Sequence, residues 1–562
     1  MHSFCPRCGN KADGPIQSGN LLFYSCRNCE NVWSIPFTSS THHKLPVDPE
    51  ELIVFLKNER NEASKSIERV GIGRTLRKDK SQDGLSIIAH LRVKINPEII
   101  VRPYDAIYYG KSLGVVLSFT DNVLELIFEA SKYLPEEGEL LLSEPLILYD
   151  SALSILTERR EEDSQHLKVF IKSNNSYNKN LLQQPTEKVQ TISNYDLDEE
   201  KKQLISELLS MPRNDYITIE GPPGTGKTTL IAAAACEIAK RDGNVLITSH
   251  TNVAVDNALE RILELNPDLK DKMIRIGHPA KISRKIKPLI GLPPRGESRI
   301  KWLKRLLEEK KIIGMTIAKL AVLDYVHGLQ SISKRMKRWP AFDYVFIDES
   351  SMTPLAIAVI PLFYSNRWLI VGDTRQLPPI IKTRHKYIGA WSIMELTSAA
   401  SLEKTRVLRI QRRGNSTIFE VISRLFYEGI LTHDKKASIS KLSLRLKLSK
   451  SWLDIVLNPD QIISWVQIED GVMEWCKIKR GKIEGASGVN TAEAAAVFKI
   501  YKHLIDAGLE TNQIAVITTY RAQANLIREA IKKANFMKDE PIVAPLYEGV
   551  KRKDRQEIIE WK

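Results

Sequence analysis

From about Asp196 onward, short apolar runs alternate with longer stretches whose apolar residues recur every three or four positions. Tyr216–Glu220, Val245–Ser249, Tyr344–Asp348, Trp368–Gly372, Val407–Ile410 and Ile514–Thr518 are runs of four or five residues with the composition of buried strands. Thr229–Lys240 and the stretch ending at Leu265 carry helical periodicity. Strand–helix alternation predicts an α/β fold with parallel, doubly wound sheets. The preceding region has another texture. Ala106–Gly110, Leu113–Phe119 and Val123–Phe128 are β-rich runs separated by Gly, Asn and Asp, which predicts a small antiparallel barrel or sandwich. Thr38–Pro49 and the Asn-rich Ser173–Pro185 read as linkers.

Composition narrows this picture. At 562 residues the chain holds about four domains of roughly 150 residues each. With 43% hydrophobic residues it can bury real cores. The longest apolar run, near Leu355–Tyr364, falls short of the roughly 18 residues of a spanning helix. Met-His-Ser-Phe-Cys at the N-terminus is no charged-then-apolar leader, so the expectation is a cytoplasmic protein with no membrane partner. The net charge of +14 points to a polyanion. Between Lys270 and Lys311 stand 14 Lys/Arg against 4 Asp/Glu, and Lys334-Arg335-Met336-Lys337-Arg338 follows. Such a segment is either a solvated face or a phosphate-binding one.

Four of the six cysteines form a pattern. Cys5 and Cys8, then Cys26 and Cys29, are two C-x2-C pairs with 17 residues between them, the spacing of a two-knuckle zinc ribbon. Four thiolates fill a tetrahedron and leave no position for water, so the implied Zn²⁺ is structural. Cys236 and Cys476 are isolated.

Gly221-Pro222-Pro223-Gly224-Thr225-Gly226-Lys227-Thr228 fits G-x-x-x-x-G-K-[ST], between a predicted strand and a predicted helix. Its backbone amides and those of Thr229 are suited to cradle a nucleoside triphosphate, Lys227 to pair with the β- and γ-phosphates, and Thr228 to ligate Mg²⁺. Val345-Phe346-Ile347-Asp348-Glu349 is an apolar strand ending in two acids. Asp348 is placed to hold Mg²⁺ and Glu349 to orient or deprotonate a water. Gln376, after the Val371–Gly372 strand end, is placed to sense a γ-phosphate.

These residues resemble the superfamily 1B helicases, specifically the Upf-like group with the nonsense-mediated-decay helicase and senataxin. Gly221–Thr228, Ser249-His-Thr-Asn252-Val-Ala-Val-Asp256, Asp348-Glu-Ser-Ser and Gly372-Asp-Thr-Arg-Gln-Leu-Pro-Pro379 resemble its motifs I, Ia, II and III. Gln411-Arg-Arg413 with Leu425–Gly429, Ser487–Ala494 and Ile517–Gln523 are similar to its later segments. The resemblance implies two RecA-like domains that close on ATP and ratchet along single-stranded RNA or DNA as a monomer. It implies phosphate contacts from Thr251, Asn252 and Thr316, and an arginine finger at Arg413. Taken with the cysteine pattern and the β-rich runs, the expected domains are a zinc ribbon (1–40), an accessory β-barrel with helical stalk (45–190), RecA-like domain 1 (191–400) and RecA-like domain 2 (401–562). The 121 residues from Lys227 to Asp348 exceed one βαβ step, which predicts a basic helical insertion over about 266–340.

The chain departs from that pattern in places. Lys201 stands where the adenine-reading Gln is expected, Arg412 replaces a Tyr, Met352 a Gln and His250 a Pro. Tyr547-Glu548-Gly549 is the nearest counterpart of motif V, and motif VI has none. The second domain is therefore expected to be truncated or degenerate. Two readings follow: an ATP-driven translocase or helicase, and an ATP-gated nucleic-acid clamp with little turnover. The ribbon adds a third role, as an adaptor for a protein partner.

Overall fold

The computed structural model describes residues 45–65, 69–80, 86–95, 106–110, 112–129, 133–142, 144–159, 161–172, 195–277, 281–291, 299–325, 327–383, 388–439, 452–469, 471–480 and 483–534, with the strand backbones at 13–18, 21–25, 32–36 and 542–545. Cys5, Cys8, Cys26, Cys29 and Tyr547–Gly549 lie outside the described residues. The chain divides into two compact units, 1–411 with 425–432, and 412–424 with 433–562.

In the first unit, β1 (Asp13–Ser18), β2 (Leu21–Ser25) and β3 (Val32–Pro36) form an antiparallel three-stranded sheet. Six more strands, β4 (Arg69–Lys80), β5 (Ser86–Ile95), β6 (Ala106–Tyr109), β7 (Ser112–Thr120), β8 (Val123–Glu129) and β9 (Glu137–Leu142), close into a barrel in the order β4-β5-β8-β7-β6-β9. Every second residue points inward. Ala89, Leu91 and Val93 of β5 face Leu124, Leu126 and Phe128 of β8, and all are buried. A Cβ on Gly114 would stand 2.6 Å from the Phe128 ring, so glycine makes room for the largest side chain of this small core.

The barrel is flanked in sequence by two helices, Pro49–Lys65 and Glu144–Thr157. Their Leu52, Phe55, Leu56, Ile147, Ala152 and Ile155 share one apolar core with Leu355, Ile357, Phe363 and Trp368 of the main sheet domain. Polar contacts fix that seam. Asp324 accepts from Arg159 at 3.0 Å and Ser151 at 3.1 Å, Asp163 accepts from Lys334 at 2.6 Å, and His166 Nε2 donates to the Phe363 carbonyl at 2.9 Å.

The main sheet has seven strands: β10 (Asp215–Glu220), β11 (Val245–Ser249), β12 (Met273–Arg275), β13 (Ile312–Thr316), β14 (Tyr344–Asp348), β15 (Arg367–Gly372) and β16 (Thr405–Val407). Their order is β12-β13-β11-β14-β15-β10-β16, all parallel. Both faces are covered. Val345 and Ile347 enter one core while Tyr344 and Phe346 enter the other, and Trp368/Ile370 and Leu369/Val371 divide likewise. Two strands, β12 and β13, lie inside 266–340, the stretch expected as a helical insertion. That span is in part the sheet itself, and β13 sits directly beside β11. The expected strand Val407–Ile410 also splits: β16 joins the sheet, and Ile410–Gln411 is a separate short strand.

In the second unit, Ala515–Thr518 pairs in parallel with Ile542–Pro545, and Glu474–Arg480 pairs with Ile483–Val489 as a hairpin. Helices Thr491–Asp506 and Arg521–Lys533 bury Ala494, Tyr501, Ala524, Ile527 and Ile531 together. No helix among the described residues is long and apolar enough to cross a membrane.

Candidate nucleotide and nucleic-acid sites

Parallel strands deliver their carboxyl ends to one edge of the sheet, where the polar residues of β10, β11, β13, β14 and β15 collect. At β10 the chain turns through Gly221–Gly226 into the helix Lys227–Lys240. Gly224 and Gly226 have φ of +80° and +89°, a region that favours glycine. The Gly221 N–H donates to the Gly372 carbonyl at 2.9 Å, which ties the turn to the end of β15. Thr225 Oγ1 donates to the Pro222 carbonyl at 2.7 Å and holds the bend. Lys227 folds back so that its Nζ donates to the Gly221 carbonyl. A Cβ on Gly221 would meet Lys227 Cγ at 2.3 Å, so the lysine's path requires that glycine. Among the described residues no side chain caps this helix, and its N-terminal amides face the turn.

Asp348 ends β14 and is 3% exposed. Among the described residues it accepts one hydrogen bond, from the Glu349 N–H at 2.9 Å. Burial, reinforced by the Glu349 charge, pushes its pKa up to about 7, while the Lys227 ammonium offsets this in part. Glu349 is held at φ +52° at the strand end. An under-compensated buried carboxylate, a lysine and an uncapped helix start fit a Mg²⁺-nucleotide: the amides and Lys227 would hold the polyphosphate, and Asp348 and the half-buried Thr228 hydroxyl would hold Mg²⁺. Pro223 stands in that turn and Thr229 in the first turn of the helix that follows.

Gln376 is oriented by Asp373. Its Nε2 donates to Asp373 Oδ2 at 2.6 Å, and the Tyr427 hydroxyl donates to the same oxygen at 2.7 Å. A carboxylate only accepts, so the amide must turn its NH₂ inward and present its oxygen outward. In that orientation the amide oxygen can accept a proton from a water, while the second N–H stays available to an acceptor. In the sequence Tyr427 stands inside the Leu425–Gly429 string, and its spacing from Gly372 carries no signal of this contact.

Lys201 is 1% exposed and paired with Asp198, at 2.9 Å through its N–H and at 2.6 Å through Nζ. Its Cε lies 3.0 Å from where a Cβ on Gly226 would stand. The position expected to read adenine therefore holds a buried ion pair beside the phosphate turn.

The second polar group is at β11 and β13, whose Ser249 and Thr316 are register partners. Thr251 caps the helix Asn252–Leu265 by accepting from the Ala254 N–H at 3.3 Å. Thr316 accepts from the Lys319 N–H at 3.3 Å and starts the helix Ile317–Tyr325. Thr251, Asn252 and Thr316 thus come together at two adjacent helix N-termini. Arg413 is exposed and lies in the second unit. There Asn490 caps its helix at Glu493, Gln523 exchanges two hydrogen bonds with the Asn490 backbone at 2.8 and 2.9 Å, and Ser487 accepts from Ala522 at 3.0 Å. The motif residues Ser487, Asn490, Glu493 and Gln523 are therefore one cluster. Among the described residues no group of three or more His, Cys, Asp or Glu is placed to hold a metal ion, and Cys236 is buried in the core.

Comparison with known proteins agrees with this architecture. An AAA-domain model matches residues 196–292 and 297–384, and a second AAA-domain model matches 390–551. The chain is 27% identical over 342 residues to the DNA replication ATP-dependent helicase/nuclease JHS1 of Arabidopsis thaliana, covering 60% of this chain and 24% of that protein. It is 29% identical over 349 residues to the DNA replication ATP-dependent helicase/nuclease dna2 of Schizosaccharomyces pombe, covering 59% of this chain and 23% of that protein. An uncharacterized ATP-dependent helicase of Methanocaldococcus jannaschii is 26% identical over 412 residues, 61% of this chain and 60% of that protein. The chain thus spans about a quarter of the length of the first two relatives. Residues 196–292, 297–384 and 390–551 thus match AAA domains, and over about 60% of its length the chain is similar to ATP-dependent helicases.

Proposed function

We propose that this chain is an ATP-driven translocase or helicase that grips single-stranded nucleic acid by its phosphates. The observation that carries the reading is the buried, under-compensated Asp348 beside Lys227 at an uncapped helix start. When bound, Mg²⁺ and nucleotide supply the charge that this site lacks and the γ-phosphate to be transferred to water. Lys227 leaves the Gly221 carbonyl to meet the phosphates. Glu349 and the outward oxygen of Gln376 align the water, and Arg413 is the residue proposed as the arginine finger that stabilises developing charge. The Upf-like group is the subfamily whose motifs the chain resembles.

Thr251, Asn252 and Thr316 supply neutral donors to the strand, with cations from the 281–287 segment beside them. Phosphate contacts do not separate RNA from DNA; the names of the plant and yeast relatives make DNA the polymer to try first. The barrel is proposed as the accessory wall of the strand's path, and Cys5, Cys8, Cys26 and Cys29 as ligands of a structural Zn²⁺ that also suits a protein partner.

The test is phosphate release from ATP by the purified chain, with and without single-stranded DNA and RNA at low salt. Stimulation that Arg413→Ala removes supports the motor. A chain that binds ATP, gains strand affinity from it and releases no phosphate is the clamp instead.

A further inference from the structure

The run Met273-Ile-Arg-Ile276 places one arginine among strand residues, and the structure buries it completely: Arg275 is 0% exposed. A buried guanidinium is retained only where its donors are met. Nε donates to Asp256 Oδ1 at 2.7 Å, Nη1 to the Ile276 carbonyl at 2.7 Å, and Nη2 to Asn252 Oδ1 at 2.8 Å. A Cβ on Gly277 would come within 2.9 Å of Nη1, so glycine there leaves the guanidinium its space. Asp256 has a second task, since its Oδ2 accepts from the Ser283 N–H at 2.7 Å. Asn252, Asp256 and Glu260 are four apart on one helix face, and Glu260 pairs with Lys285 of the same basic turn.

We infer that Arg275 is a positioning residue for strand binding: it locks the Asn252 amide with its oxygen inward and its NH₂ donors outward, toward the phosphates of a single strand. This rests on the strand-binding reading above. The chemistry leaves one orientation. Guanidinium groups only donate, so a flipped Asn252 would set NH₂ against N–H, donor against donor. Phosphate oxygens only accept, so the outward face must donate. Arg275 itself, wholly buried, touches no strand. Asp256, meanwhile, holds the turn that carries the exposed Arg284, Lys285 and Lys287. The neutral donor and the cations therefore hang from one network but by separate bonds.

That separation makes the inference testable. Arg275→Lys keeps a cation against Asp256, so the turn and the fold remain, but one ammonium on a shorter reach cannot also hold Asn252. The full chain is titrated by fluorescence anisotropy against a labelled oligo-dT of about 15 nucleotides, at several salt concentrations. Asn252→Ala and Arg275→Lys should each weaken binding about fivefold, the scale of one hydrogen bond. The double variant should be no weaker than Asn252→Ala alone. The slope of log affinity against log salt should stay at the wild-type value in all three, because no phosphate-facing charge is lost. Multiplying effects, an unchanged affinity in Arg275→Lys, or an altered slope would each overturn the inference. Wild-type chain that binds no oligonucleotide at low salt would instead remove the strand-binding reading, and this inference with it.

Discussion

Asp348 and Asp256 are both buried aspartates at the carboxyl edge of one parallel sheet, and their surroundings differ in kind. Both Asp256 oxygens are used, by Arg275 and by the Ser283 N–H. Asp348 accepts one backbone N–H and faces the charge of Glu349, and its pKa is pushed up to about 7. A buried carboxylate whose partners are all supplied by the chain is a strut. One left short of positive charge is a place for a cation the chain does not carry.

The largest effect that could break this distinction is on turnover. Lys227→Ala and Asp348→Asn should each lower strand-stimulated phosphate release by about 10³-fold or more. Retained release in Asp348→Asn would show that the carboxylate is not needed for Mg²⁺.

Stability should run the opposite way. Removing one partner of a buried pair costs about 3–5 kcal/mol, so Asp256→Ala should lower the urea-unfolding free energy of the first unit by that order. Asp348→Asn takes away a poorly compensated charge and keeps the shape, so it should leave apo stability equal or higher. If both variants destabilise alike, the contrast between a fully partnered and an under-compensated carboxylate is wrong.

A third buried group shows that an unusual pKa is not by itself a site. His166 is enclosed by Phe363, Trp339 and Trp368, and burial pushes its pKa down to about 4, although its bond to the Phe363 carbonyl acts the other way. The unfolded chain binds the proton near pH 6.5, so between pH 6.5 and 4 the unfolded state holds more protons than the folded one. Stability from this group is present above that window and is lost as pH falls through it, by about 3 kcal/mol between pH 7 and 4. His166→Gln should flatten that part of the pH–stability curve and leave phosphate release at pH 8 unaltered.

These contrasts also mark what the sequence could tell. The phosphate turn, Asp348-Glu349 and the strands that carry them were legible, because apolar runs such as Val345–Ile347 end in charged residues at motif spacing. β12 and β13 were not. Three residues, Met273–Arg275, make no periodic signal, and the surrounding lysines and arginines have the look of a basic helical insertion. Arg275 is one cation among 14 there, although an arginine flanked by Ile274 and Ile276 is itself a hint of burial. Orientation was beyond reach as well: nothing in the string says that Gln376 turns its oxygen outward while Asn252 turns it inward. Those choices depend on Asp373 and Arg275, the latter brought in by folding.

The smallest expected effect concerns the helix starts themselves. The nucleotide-edge helix begins at Gly226 with no side-chain cap, while the strand-edge helix begins at Thr251, whose hydroxyl is already taken by the Ala254 N–H. An uncapped start waits for phosphates; a capped one is satisfied before any ligand arrives. Thr251→Val should therefore cost about 1 kcal/mol of stability in the absence of any nucleic acid, and Thr251→Ser should restore it. Both variants lose or keep the same hydroxyl toward a strand, so oligonucleotide affinity measured beside the unfolding curve separates the two duties. Affinity that falls with Thr251→Val by no more than its helix destabilisation explains would make Thr251 a cap alone, and would leave the Asn252 amide as the neutral donor on that helix.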